Sequence, residues 1–263
     1  MDISMVNAGM RLDEENHLSV SRAVISPKDT NLIPKSFILE SFLPEWKDTK
    51  VLFYAIPSIG AQFLECQLII ANGGGTRELI NNGYENFLYV IDGSVEATIA
   101  GKKHSMEKEG YCWLPPEAEF SFMNKHDEEA KLLWVRKKYE GTKFFSVPDL
   151  VVSSVLDIPP VQNIAEIEQQ CLPFEKNFGF DMAMNMLTFN PGVTFPKVET
   201  HPFEHGGYFL NGRGNFWING RNYEVHEDDF CYMAPFTPHY VAAYGPGPLR
   251  YLLYKNVNRD YIL

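Results

Sequence analysis

Short runs of aromatic and β-branched residues, broken every few positions by Gly, Pro, Asn or Asp, dominate this chain. Phe87-Leu-Tyr-Val-Ile91, Tyr111-Cys-Trp-Leu114, Phe216-Trp-Ile218 and Tyr251-Leu-Leu-Tyr254 are examples. Runs of this length between turn residues predict many short antiparallel strands, built into a sandwich or barrel. Helix is scarce. The best helical candidate is Val161–Gln170, which follows Pro159-Pro160 inside an apparent linker at about 149–175.

The strand pattern occurs twice. Tyr89-Val-Ile-Asp-Gly93 matches Tyr208-Phe-Leu-Asn-Gly212, and Ala100-Gly101 matches Asn219-Gly220 in the next turn. Glu109-Gly-Tyr-Cys-Trp-Leu-Pro-Pro116 matches Asp228-Asp-Phe-Cys-Tyr-Met-Ala-Pro235, and Leu132–Arg136 falls on Tyr251–Lys255. One constant offset relates all of these pairs, the sign of an internal duplication. Upstream, Ala71-Asn-Gly73 pairs with Phe189-Asn-Pro191 after a one-residue slip. The expected organisation is two antiparallel barrels, residues 1–148 and 149–263.

Composition narrows the partners. A formal charge of −11 with no basic run argues against nucleic acid. No apolar run is long enough to span a membrane. The stretch Met1–Val20 carries neither the basic start nor the apolar core of a secretory signal, so a cytoplasmic protein is expected. The four cysteines are scattered without a CxxC pair, and Cys112 and Cys231 coincide in the repeat, so both are expected in the core.

Candidate chemistry gathers in the second half. In Glu199-Thr-His201-Pro-Phe-Glu-His205, residues 199 and 201 share one face of an extended strand. His205 keeps that phase if the bend at Pro202 is mild. His239 arrives on a later strand after the turn Pro235-Phe-Thr-Pro238. Three imidazoles and a carboxylate suit manganese, iron, nickel, copper or zinc better than magnesium or calcium. The repeat places Ile80, Asn82, Asn86 and Phe120 at the same four positions, none a plausible transition-metal ligand. The first barrel is therefore expected to keep the fold and lack the site. Tyr251, Leu253 and Lys255 share a strand face, so Tyr251 and Lys255 can enter one cavity. Glu204 should point away from it, and His226, in a charged stretch, should be exposed.

Tandem barrels with ligands split between an early pair of strands and a later strand after a proline-containing turn resemble the bicupins. The order Glu-x-His-x3-His departs from the usual cupin motif. That order and the run Arg250-Tyr-Leu-Leu-Tyr-Lys255-Asn-Val-Asn-Arg259 look like the (S)-ureidoglycine aminohydrolase family of purine catabolism. The segments 180–192, 199–214, 232–245, 87–101 and 110–116 resemble it too. The resemblance implies a manganese ion on Glu199, His201, His205 and the position of His239, with Lys255 acting on the substrate and Tyr251 contacting it. It implies hydrolytic release of ammonia from (S)-ureidoglycine, giving (S)-ureidoglycolate. Glu199 and Lys255 are then the candidate proton-transfer groups, and Glu199, His239, Tyr251 and Lys255 the substrate contacts. Two positions depart from the family: His239 stands where it has glutamine, and Phe216 where it has tyrosine. A three-His, one-Glu cupin site also suits a dioxygenase or oxidase, and a non-catalytic ligand-binding cupin is a third alternative. A homo-oligomer is expected, since cupins often pair edge strands across subunits.

Overall fold

The computed structural model describes residues 22–26, 29–162, 166–172 and 177–259. The Met1–Val20 stretch and residues 163–165 of the expected helix lie outside them. Nine strands between Trp46 and Ser154 form one sheet. An eight-stranded and a three-stranded sheet make up a second unit, which contains the strands Met182–Phe189, His205–Asn211, Phe230–Met233, His239–Ala243 and Leu249–Asn256. Helical structure among the described residues is confined to 3-10 conformation, in Lys35–Phe37, Pro57–Ile59 and Val155–Asp157 and at Glu166. The fold is all-β, with two barrels.

The units interlock at their edges. Thr30–Ile33 pairs with Phe230–Met233 of the second unit, while Val151–Ser154 pairs with Gly110–Leu114 of the first. Each unit thus takes a strand from the far side of the chain. Between them lies a shared core in which Phe63, Phe87, Tyr89 and Trp113 pack with Met184, Tyr208, Tyr232 and Tyr254. Two further cores fill the barrels themselves.

This arrangement explains the apolar runs. In Phe87–Val90, Phe87 and Tyr89 face the shared core while Leu88 and Val90 face their own barrel. In Tyr251–Tyr254, Leu252 and Tyr254 face the shared core, and Tyr251 and Leu253 the barrel interior. These central strands are buried on both faces, so they read as continuous apolar segments rather than an apolar-polar alternation.

The described residues of Val161–Gln170 do not form the expected α-helix. Val161–Gln162 and Glu168–Cys171 are antiparallel strands, and the second pairs with Met182–Phe189 from Glu168↔Thr188 to Cys171↔Asn185. The missing partners of an open sheet edge outweigh the modest helical preference of Gln and Glu. The one-residue slip upstream is also corrected. Ile70 pairs with Ala130 and Phe189 with Leu249, so the offset that takes Tyr89 to Tyr208 continues through this strand unchanged.

Backbone conformation repeats with the same offset: Gly93 and Gly212 both have positive φ, as do Ala100 and Asn219, and Glu109 and Asp228. Gly212 has φ of 86°, and a Cβ there would sit 2.2 Å from the Pro248 carbonyl oxygen. Both strain and collision act on backbone, which cannot step aside. Gly212→Ala is therefore expected to cost at least about 2 kcal/mol, read as a lowered urea midpoint.

Across the units, Arg250 donates to both carboxylate oxygens of Glu109, from Nη2 to Oε2 at 2.8 Å. Burial pushes the Glu109 carboxyl up, but the Arg250 hydrogen bonds and charge outweigh it and leave the group below its ordinary value. A depressed folded value means the pair stabilises the fold above the unfolded carboxylate value of about 4.3 and loses that contribution as pH falls through the folded value. Glu109→Gln should cost about 1 kcal/mol at pH 7. Urea titrations of the variant and the unaltered protein should converge in acid.

Candidate functional site

Glu199 and His239 form an isolated antiparallel bridge, each backbone N–H donating to the other's carbonyl at 2.9 Å. His205 opens the strand His205–Asn211, and residues 200–204 between them are irregular. The expectation that strand alternation carries Glu199 and His201 to one face therefore gives way. Pro202 cannot donate to a ladder, and the segment loops instead. It still brings the side chains together. The turn that delivers His239 is anchored to this loop: Phe236, at a left-handed φ of 63°, donates its N–H to the His201 carbonyl at 2.6 Å.

The three imidazoles cluster, with ring centroids 4.9 Å apart for His201 and His205, 5.5 Å for His201 and His239, and 5.4 Å for His205 and His239. Glu199 Oε2 lies 3.7 Å from His201 Nε2. His205 and His239 are buried, and Glu199 and His201 are partly open to solvent. Phe216 stacks on His239 with its plane tilted by 7°, and Phe203 stacks on His201. Glu199, the three histidines and Phe216 line a cavity of about 230 Å³, together with Tyr251, Leu253 and Lys255 from the last strand and Leu187, Phe195 and Met233 as apolar wall.

Burial holds the His205 imidazole well below its ordinary value, helped by the nearby His239, His201 and Lys255. Burial also lowers His239, with the Thr237 hydrogen bond opposing. The neighbouring His201 side chain, more than any other influence, keeps the Glu199 carboxyl below its ordinary value against the effect of burial. Neutral imidazoles beside an ionised carboxylate are the protonation states a cation requires. His239 Nδ1 lies 2.8 Å from the Thr237 carbonyl oxygen. An N–H there leaves the lone pair on Nε2, the orientation seen in metal-binding histidines. Among the described residues, no three His, Cys, Asp or Glu groups already stand in ligating geometry. The donor types, burial and tautomer fit a transition metal, and side-chain adjustment would be needed to close around it.

Tyr251 and Lys255 enter the same cavity as the imidazoles. In the ladder Lys255 lies directly opposite His205, and Tyr251 opposite Phe209. Oriented so that both of its polar atoms find partners, the Asn185 amide accepts from Lys255 Nζ at 2.8 Å and donates to the Met184 carbonyl at 3.1 Å. Asn185 was missed in the sequence, although it is the one amide in the apolar run Met182-Ala-Met-Asn-Met-Leu187. Gln169 was missed too, because it sat in the segment read as helix; it lines the cavity.

Glu204 faces the shared core, as expected from its parity with His205. It accepts from Gln62 N–H and the Tyr232 hydroxyl, and burial raises its carboxyl to about 7. His226 is half-buried rather than exposed, 2.8 Å from Glu224 at the end of a strand. Cys112 and Cys231 are buried free thiols.

In the first barrel, Ile80 and Phe120 form the bridge equivalent to Glu199–His239. Asn82 and Asn86 bond each other at 3.1 Å, and Trp134 Nε1 donates to Asn86 Oδ1 at 3.0 Å. Trp134, in the place of Leu253, fills what is cavity in the second barrel. No helix among the described residues is long and apolar enough to cross a membrane.

Comparison with known proteins adds to this geometry. A family model for the cupin domain matches residues 67–136 and 185–254. An (S)-ureidoglycine aminohydrolase of Escherichia coli K12 is 27% identical over 248 residues, 92% of this chain and 94% of that protein. A probable (S)-ureidoglycine aminohydrolase of Oryza sativa subsp. japonica is 30% identical over 241 residues, 91% of this chain and 76% of that protein. The crystal structure of the E. coli protein Ylba superposes with a TM-score of 0.84 at 26% identity, over 95% of this chain and 99% of that one.

Proposed function

This chain is a bicupin of the (S)-ureidoglycine aminohydrolase family, and from that premise we propose that it hydrolyses (S)-ureidoglycine to (S)-ureidoglycolate and ammonia. The observation that carries the reading is the single cavity in which Lys255 and Tyr251, on one strand, face Glu199 and three imidazoles.

The substrate bears a carboxylate, an amine and a ureido nitrogen on one carbon. Lys255 supplies a positive charge and N–H donors at the cavity wall, suited to the carboxylate or to proton delivery. When the amine takes a proton, the C–N bond breaks with its electron pair leaving on ammonia, and the ureido nitrogen supports the resulting imine. Water then adds to that carbon, and the proton it sheds returns to the group that gave one. Glu199, ionised and beside the reacting space, is the second candidate for that exchange. Phe195, Phe216 and Leu187 form the apolar wall of the cavity. Glu199, His201, His205 and His239 would hold a divalent ion, manganese on this reading, which supplies Lewis-acid charge to fix the substrate carboxylate.

The direct test is to supply freshly generated ureidoglycine to protein loaded with manganese and follow ammonia. Release that depends on the metal supports the proposal, and none from fully loaded protein would sink it. Oxygen uptake by the iron- or copper-loaded protein would shift the reading to an oxidase, which three imidazoles also suit. We further propose a cytoplasmic homo-oligomer; sedimentation of the purified chain checks the oligomer.

A further inference from the structure

We infer that Asn185 is a positioning residue that holds the Lys255 ammonium in place on the cavity wall. Asn185 is fully buried in the strand Met182–Phe189. A buried amide is unfavourable unless it is hydrogen-bonded, and this one spends its oxygen on Lys255 Nζ at 2.8 Å and its nitrogen on the Met184 carbonyl. The ladder makes the pairing specific. Leu253 lies opposite Asn185 and Ala183 opposite Lys255, so amide and ammonium meet on the diagonal of one face.

The duplicated barrel provides an internal comparison. The positions equivalent to Asn185 and Lys255 are Cys66 and Arg136. Cys66 is packed in the core, and the Arg136 guanidinium lies over the rings of Tyr84 and Trp134 at 5.3 and 5.1 Å. Where the cavity is filled, the amide and its ammonium partner are both gone.

Lysine carries its charge on a flexible four-carbon stem, so one fixed acceptor removes much of its freedom. An amide oxygen is a neutral acceptor. It holds the ammonium without neutralising its charge. A carboxylate in its place would neutralise that charge and repel the substrate's own carboxylate. As a statement about turnover this rests on the deamination proposed above; as a statement about Lys255 geometry it does not.

The test uses the full chain loaded with manganese and the variants Asn185→Leu, Lys255→Met and their double. Unfolding constants from urea titration should show the pair coupled by about tenfold. In the ammonia assay, kcat/KM should fall on the order of a hundredfold in Asn185→Leu, and no further when that change is added to Lys255→Met. Asn185→Asp keeps the acceptor for Lys255 but loses the donor to the Met184 carbonyl, so stability should recover in part while KM rises by about tenfold or more, a split that a purely structural role does not produce. Additive unfolding free energies, or Asn185→Leu with unaltered kcat/KM, overturn the inference. If the unaltered protein releases no ammonia, the deamination reading fails. The stability cycle then decides alone: coupling sustains the Asn185–Lys255 contact and additivity ends it.

Discussion

Lys255→Ala is expected to lower ammonia release by about a thousandfold or more, the scale of a lost general acid or anchoring charge. Manganese content should stay close to that of the unaltered protein, and the urea midpoint should fall modestly because the buried Asn185 oxygen loses its partner. The reason lies in the register. Lys255 is opposite His205 on the neighbouring strand, so its side chain enters the cavity beside the imidazole cluster without being one of its donors. Truncation removes the ammonium and leaves the strand pairing intact. The competing view, a lysine whose head is simply solvated at the barrel mouth, predicts near-normal turnover. A steady-state ammonia assay on metal-loaded protein separates the two, and activity within tenfold of normal would remove Lys255 from the mechanism.

The second large effect concerns Glu199. Among the four proposed ligands it alone carries a negative charge, and its carboxyl is held below its ordinary value, so it is ionised at neutral pH. Removing it leaves three neutral imidazoles to bind a doubly charged ion. Glu199→Ala should weaken manganese binding by at least about a hundredfold, read as metal retained after dialysis. Glu204→Gln is the matched control. Glu204 is also a glutamate next to His205, but it points into the shared core toward Gln62 and Tyr232. It should keep its metal. Equal loss in both variants, or full retention by Glu199→Ala, would remove Glu199 from the ligand set.

Much of this site is legible along the chain because duplication doubles the information. Turn residues such as Gly93 and Gly212 repeat since the same hairpin needs the same positive φ. The ligand positions fail to repeat: Ile80 and Phe120 make the same backbone bridge but carry apolar side chains packed in the first barrel's core. The contrast marks Glu199 and His239 without any coordinates. Lys255 and Tyr251 are readable for a different reason: strand period two survives wherever a ladder is regular, as it is from Leu249 to Asn256.

Other features are not legible. Val161–Gln170 has helical preferences, but the exposed edge beside Met182–Phe189 supplies hydrogen-bond partners that no local pattern reveals. Asn185 reads as one polar residue in an apolar strand, and its meaning depends on a lysine seventy residues away on the order of chain separation, brought to 2.8 Å by strand pairing. Residues 200–204 leave the strand because of Pro202, so the meeting of Glu199, His201 and His205 follows from a loop anchored at Phe236 rather than from alternation.

The sequence by itself determined the all-β duplication and singled out Glu199, His201, His205, His239, Tyr251 and Lys255 as the proposed site, because residue type and the repeat are properties of the chain alone. The tertiary structure decided how the two units exchange edge strands, that the central strands are buried on both faces, and that Asn185 holds Lys255. Those features depend on contacts between segments distant in the chain, where the gain from burying apolar surface and satisfying backbone hydrogen bonds outweighs local preference.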